Sequence, residues 1–222
     1  MKETKKAILE ILKKKHTKKN SKFENLVLNL ALQKIDSDSI EYDGEGVYTA
    51  DRKYMIYCMS MGDNFVVPDG VETIGEMAFK GKKQLKNVII ANSVATISRD
   101  AFYDCDGLET VYIPDSVKEV KGYAFADCDN LKRITFAAVP AKLSRHAFDE
   151  CEKLHEILVP EGAEKDFRKA LHYDESDTDV LISEVKKEKK AKTEDKTPTP
   201  TATKTATESK PNKNTTKNTP KK

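Results

Sequence analysis

The strongest constraint on the fold is a 23-residue periodicity that runs through the middle of the chain. Phenylalanine, preceded each time by alanine, recurs four times at this interval; leucine also recurs four times and cysteine three times. The positions are Phe79, Phe102, Phe125 and Phe148; Leu85, Leu108, Leu131 and Leu154; and Cys105, Cys128 and Cys151. A unit this short cannot bury its own apolar side, so successive copies must stack and share one core.

Each copy also carries a strand-like triplet, at residues 65–67, 88–90, 111–113, 134–136 and 157–159. Side chains alternate between the two faces of a strand, so the outer residues of each triplet face the core and the central one faces solvent. Proline follows three of the triplets and offers no N–H to a neighbouring strand. The pattern predicts an α/β repeat solenoid whose coils run strand, turn, return wall, turn, with parallel strands.

The repeat resembles the BspA-like leucine-rich repeat family over about residues 45–170. The resemblance rests on the pattern I-P-D-x-V-x-x-I-x-x-x-A-F-x-x-C-x-x-L, which residues 113–131 follow. Two positions depart from it: Lys82 stands where cysteine is expected in the first copy, and Pro140 replaces valine in the fourth. The resemblance implies a right-handed leucine-rich repeat superhelix with a parallel β-sheet face, which binds proteins or surfaces, often at the cell exterior.

Three regions are predicted along the chain. Residues 1–38 form a basic N-terminal helical region, and residues 39–172 form the solenoid, with an opening hairpin and a C-terminal cap. The hairpin is expected between Val47-Tyr48 and Tyr57-Cys58, and the cap is a turn and helix containing Phe167 and Ala170. Residues 173–222, an acidic and then Lys/Thr/Pro-rich stretch with few large apolar residues, are predicted to be a disordered tail.

Two amphipathic helices are predicted in the N-terminal region from apolar residues spaced by three and four. One contains Ile8, Leu9, Ile11 and Leu12, and the other contains Phe23, Leu26, Val27 and Leu30. One interpretation is that they cap the open end of the first coil. The other is a basic helical pair that docks elsewhere.

The net charge of +2 hides an uneven distribution. Residues 1–22 hold nine Lys against two acids, and residues 183–222 hold twelve Lys against five, which leaves about −12 for the segment between them. Basic ends of this kind can contact nucleic acid or an anionic membrane.

The sequence contains no run of 18 apolar residues that could span a bilayer. The apolar residues near the N-terminus are too few and too interrupted by charge for a signal-peptide core. A cytoplasmic location is expected, or a cell-surface one if an export signal precedes the sequence given.

Residues that could carry chemistry have simpler interpretations. The in-phase cysteines lack the C-x₂₋₄-C pairs typical of zinc sites, and their side chains project in one direction, which disfavours disulfides, so buried thiols are expected. His146, His155 and His172 lack the in-phase partners of a catalytic triad and are expected at the surface. Asp104, Asp127 and Glu150 could hold a cation, but turn capping is favoured. We therefore predict no enzyme activity, no cofactor and no metal.

The remaining candidate is the outward row of the strands. Val66, Ile89, Tyr112, Thr135 and Leu158 occupy the central triplet positions, and Asn64, Asn87, Thr110, Arg133 and Glu156 lie two residues earlier. The predicted partner-binding residues are Val66, Ile89, Tyr112, Thr135, Leu158, Thr110 and Arg133. An apolar stripe with a polar margin is typical of an interaction surface, although strand propensity alone also selects Val, Ile and Tyr.

These observations predict a non-catalytic protein–protein interaction module that binds a protein partner through the sheet face. The alternative is a binder of nucleic acid or another anionic polymer or surface through the Lys-rich ends. A third option is self-association through an uncovered solenoid end, since the sequence leaves the oligomeric state open.

Overall fold

The chain begins with two helices and an antiparallel meander. The computed structural model describes residues 2–15, 21–35, 39–172 and 180–185. The first elements are β1 (Lys2–Thr4), α1 (Lys5–Lys15), α2 (Ser21–Gln33), β2 (Ser39–Tyr42), β3 (Gly46–Thr49) and β4 (Tyr54–Cys58). Strands β1 to β4 pair antiparallel in chain order, so the predicted opening hairpin is confirmed as β3 and β4.

Beyond β4 the chain coils, and the coils contribute strands to two parallel ladders. The strands in chain order are β5 (Asn64–Val66), β6 (Thr73–Ile74), β7 (Asn87–Ile89), β8 (Thr96–Ile97), β9 (Thr110–Ile113), β10 (Glu119–Val120), β11 (Arg133–Phe136), β12 (Lys142–Leu143) and β13 (Glu156–Pro160). The odd-numbered strands contain the predicted triplets and form the sheet face. The even-numbered strands continue the meander, because β6 pairs with β4.

Paired residues in the ladders lie 23 positions apart, as the repeat predicts. Val111 pairs with Ile134 on the sheet face, and Ile74 pairs with Ile97 on the second wall. The face consists of two segments, β5–β7 and β9–β11–β13, which touch between β7 and β9 without a continuous ladder. The predicted parallel solenoid is therefore confirmed.

The core is built of columns of equivalent side chains. The rings of Phe79, Phe102, Phe125 and Phe148 stack with centroid separations of 4.6, 4.9 and 6.0 Å. The first two distances match the roughly 4.8 Å spacing of neighbouring strands, so each ring rests on the ring of the coil before it. The leucine and isoleucine columns are buried beside them.

The third wall of each coil consists of turns, and α-helices occur only at the ends of the described solenoid. Two positions per turn take left-handed backbone angles, among them Asp104, Asp127 and Glu150, with φ near 60°. Aspartate tolerates this conformation better than most residues. The expectation that these carboxylates belong to turns is confirmed. Backbone bonds such as Phe102 N–H to Ala124 O, at 2.7 Å, join the turns of neighbouring coils.

Helix α2 covers the first coil, which confirms the capping interpretation, but it does so with a face that the sequence did not predict. Val27, Leu28, Ala31 and Leu32 are buried with Ile8 of α1 against the meander. Of the predicted stripe only Val27 is buried; Phe23, Leu26 and Leu30 are exposed. The buried face begins with Glu24, a charged residue that hides the apolar period.

Glu24 is buried because Lys82 meets it from the first coil. The Lys82 Nζ lies 2.9 Å from Glu24 Oε1, and both side chains are less than a tenth exposed. Lys82 occupies the position where later coils have cysteine, so the longer side chain reaches the cap. A buried charge pair of this kind links the cap to the repeat array.

At the other end, α3 (Glu164–Leu171) forms the predicted closing helix. Phe167 is fully buried and packs against Phe136 at a centroid distance of 4.8 Å. Ala170 is half-buried, while Leu171 completes the contact with the core.

The chain returns to the sheet after the predicted boundary at residue 173. Strand β14 (Leu181–Val185) pairs parallel with β13 and buries Ile182 in line with Ile157. These two isoleucines are 25 residues apart, so a search at 23 residues misses them. The predicted disordered tail is therefore wrong for residues 181–185, and its part beyond 185 lies outside the described residues.

Candidate protein-interaction surface

The predicted central row lies on the outer face of the sheet, but its exposure is uneven. Val66, Ile89 and Tyr112 are 59%, 61% and 56% exposed. Thr135 and Leu158 are only half-buried positions on the same row. The exposed apolar surface is therefore concentrated on the first three coils.

The second row divides at the same place. Asn87 Nδ2 donates to Asn64 Oδ1 at 2.8 Å, and Thr110 is exposed and uncharged. Arg133 instead forms an ion pair with Glu156 of the next coil. Arg133 was predicted as a partner-binding residue of the hot-spot type, but here its charge is already compensated within the chain.

The exposed half of the face is thus an uncharged surface formed by Val66, Ile89, Tyr112, Asn64, Asn87 and Thr110, which we call the neutral patch. Charges beside it are paired between coils. Lys132 Nζ lies 2.8 Å from Glu109 Oε2, and this bond lowers the pKa of the Glu109 carboxyl. Lys86 lies 3.6 Å from Asp63 in the same way.

Strand β14 extends the face beyond the residues that the sequence singled out. Ser183 continues the central row beside Leu158, and Leu181, which is largely exposed, continues the second row beside Glu156. The only sequence signal for them is the apolar run at residues 180–182, which lies out of phase with the repeat.

The cysteine column is structural, as expected. Cys105 and Cys128 are fully buried, and Cys151 is half-buried. Their thiols donate to the carbonyls of Phe79, Phe102 and Phe125 at 3.0, 3.1 and 2.9 Å. Burial raises the pKa of the Cys105 thiol well above its ordinary value, which keeps it protonated. Cys58 is buried at the end of β4, as predicted for a strand residue.

The histidines are surface or half-buried residues, also as expected. His146 has a carboxylate partner that the sequence analysis did not identify, because its Nδ1 lies 2.9 Å from Asp149 Oδ2. Its Nε2 accepts a bond from Arg145 Nε at 2.9 Å. Both ring nitrogens are therefore engaged, and neither contacts a nucleophile among the described hydrogen bonds.

The carboxylates of the third wall are paired with lysine. Lys83 Nζ lies 2.8 Å from Asp104 and 2.9 Å from Asp106, and these bonds raise the pKa of the Lys83 ammonium. Within the described ranges, no group of three or more His, Cys, Asp or Glu side chains is placed to hold a metal ion.

None of the helices in the described part of the chain has the length and apolar character needed to cross a bilayer. The cytoplasmic location stays a prediction. The predicted role of the Lys-rich ends also stays untested, because residues 16–20 and 186–222 lie outside the described residues.

Comparison with solved structures finds bacterial leucine-rich repeat proteins. A leucine-rich repeat protein from Eubacterium ventriosum is 18% identical, with a TM-score of 0.55, and the match covers 66% of this chain and 40% of that one. A leucine-rich cell surface protein from Faecalibacterium prausnitzii is 20% identical, with a TM-score of 0.48, over 64% of this chain and 44% of that one. The chain thus spans less than half the length of these two structures.

No curated protein is significantly similar in sequence. The family described as "BspA type Leucine rich repeat region" matches residues 52–175 in six copies, which is more than half of the chain. This agrees with the stacked columns, the two parallel ladders and the turns of the third wall. The chain therefore belongs to the BspA-type leucine-rich repeat proteins.

Proposed function

We propose that this chain is a non-catalytic module that binds a protein partner through the neutral patch. Leucine-rich repeat proteins are in general protein-interaction modules, and this patch is the surface that best fits such a role here. The partner surface is expected to be apolar and uncharged, because the patch offers no charge for a charged partner to pair with.

The observation that carries the proposal is the exposure of Val66, Ile89 and Tyr112 in one row. Removing an exposed Val or Ile side chain from water contributes about 1 kcal/mol or more, and tyrosine is enriched among residues that dominate binding energy. The hydrogen-bonded amides of Asn64 and Asn87 form a polar margin along one side of the row. An apolar centre with a polar margin is the usual anatomy of a protein interface.

The test begins with partner capture from the native cell, followed by direct binding of the identified protein. Aspartate at both Ile89 and Tyr112 is expected to abolish binding while the circular dichroism stays unchanged. The matched control is Val139→Asp, which places the same charge at an exposed apolar residue off the sheet face and is expected to leave binding intact.

Salt dependence separates this proposal from binding through the lysine-rich ends. Binding through the patch is expected to change little between about 0.1 M and 1 M salt, over which the screening length falls from about 10 Å to about 3 Å. Affinity that falls steeply with salt, or that survives the double aspartate variant, would overturn the proposal.

A further inference from the structure

A small cavity lies where the N-terminal cap meets the first coil. Its volume is about 70 Å³, and its wall includes Glu24, Lys82 and Cys58. Met61 and Gly62, which also line it, are exposed, so the cavity has a rim that solvent reaches. It is distinct from the outward rows of the sheet described above.

The wall of this cavity presents a hydrogen-bond donor beside an acceptor. Lys82 Nζ donates to Glu24 Oε1 at 2.9 Å and lies 4.9 Å from the centre of the Tyr57 ring. An ammonium has three N–H donors, and a carboxylate has about four acceptor sites. Each group can therefore make a further bond to a ligand without breaking the bond between them.

The paired charges favour a neutral ligand that both accepts and donates. A carboxylate would bring its charge beside Glu24, and an amine would bring its charge beside Lys82. Burial raises the pKa of the neighbouring Cys58 thiol to about 12, so this side chain adds no charge. A primary carboxamide meets the requirement, because its C=O accepts from Lys82 and its NH₂ donates to Glu24.

The volume suits a group of this size. A cavity needs about 10–15 Å³ for one water molecule, and one of about 150 Å³ holds benzene, so 70 Å³ holds roughly four or five non-hydrogen atoms. The side-chain carboxamide of asparagine or glutamine, with the carbon next to it, has this size.

The cavity lies at the start of the strands that carry the neutral patch. Gly62 precedes Asn64 of β5 by two residues, and Leu85, another lining residue, precedes Asn87 of β7 by two. We propose that this cavity is an anchor pocket for an asparagine or glutamine side chain of the protein that binds the neutral patch. The identity of the partner rests on the proposed function; the affinity of the pocket for amides does not.

The test uses the full chain and three small probes of matched size: propionamide, 2-butanone and propionate. The backbone amide signals of Gly62, Gly81 and Lys82 are followed by NMR during each titration. Propionamide is expected to shift them saturably with a dissociation constant of about 1–10 mM, within the limit for a five-atom ligand. The ketone and the carboxylate are expected to bind at least tenfold more weakly.

Three results would overturn the pocket. One is the absence of a saturable shift up to about 100 mM propionamide, well above the expected dissociation constant. Another is equal binding of 2-butanone, which indicates a merely apolar cavity. The third is tighter binding of propionate, which indicates an anion site.

A pair of double variants assigns the binding to the buried charges. Replacing both members of the ion pair, E24Q with K82M, is expected to reduce propionamide binding to the level of the ketone. The exposed pair on the sheet margin, replaced as E109Q with K132M, is expected to leave it unchanged. A chain that captures its partner through the neutral patch but gives no propionamide shift loses the pocket and keeps the proposed function.

Discussion

Replacing Glu24 by glutamine is expected to destabilise the protein by about 3 kcal/mol, because it leaves Lys82 buried opposite a neutral group. Both side chains are less than a tenth exposed, so water cannot solvate the remaining ammonium. Lys82→Met is expected to cost a similar amount, since it leaves the carboxylate buried. The two together are expected to lie within about 1 kcal/mol of the wild type, because neutral groups of similar volume replace both charges.

The assay is urea unfolding followed by far-UV circular dichroism, applied to both single variants and the double variant. The coupling energy of the cycle is expected to exceed about 2 kcal/mol. The exposed pair Lys132–Glu109 is the control, with a bond of 2.8 Å but side chains roughly half exposed. Its disruption is expected to cost less than about 1 kcal/mol. Single variants at Glu24 and Lys82 that each cost less than 1 kcal/mol, and whose effects add, would refute the reasoning.

Three further predictions follow from the stacked core and the cap. Phe125→Ala is expected to cost about 3–5 kcal/mol in urea unfolding, since its ring is packed on both sides, whereas Phe148→Ala, at the end of the column, is expected to cost less. Gly81→Ala is expected to cost at least about 1 kcal/mol, because φ is +73° and the new Cβ lies 2.5 Å from the Phe23 ring; Gly62→Ala, with ordinary φ and spacing, serves as the control. The pKa of Cys58, raised from 9.0 to about 12, means that stability present below pH 9 declines as pH rises from 9 towards 12, and Cys58→Ala is expected to reduce that decline. Equal costs at Phe125 and Phe148, equal costs at the two glycines, or an unchanged pH slope would contradict these expectations.

The repeated part of the fold could be predicted almost completely from the sequence. Equivalent positions must stack, so the phenylalanine column and the parallel pairing of the triplets follow from the interval alone. The buried thiols and the turns containing Asp104 and Asp127 follow from the same register.

The ends were harder because each departs from the interval. The buried face of α2 begins with Glu24, and a charged residue reads as solvent-facing until its partner Lys82 is known. Strand β14 was missed because Ile182 follows Ile157 by 25 residues, so it falls outside a 23-residue search.

The candidate surface was predicted correctly in position and too broadly in extent. Alternation along the strands locates both rows, but exposure depends on packing that no single strand reveals. Arg133 and Glu156 are equivalent residues of adjacent coils, so their pairing was available from the repeat once the coils were aligned.

The substitution of lysine for cysteine in the first coil also limits how such an array can lengthen during evolution. A duplicated unit inserted between the second and fourth coils meets the same phenylalanine, cysteine and leucine on both sides. A unit inserted ahead of Gly81 would separate Lys82 from Glu24 and bury each charge beside a thiol or a ring. Growth by duplication is therefore open towards the carboxyl end and closed towards the amino end.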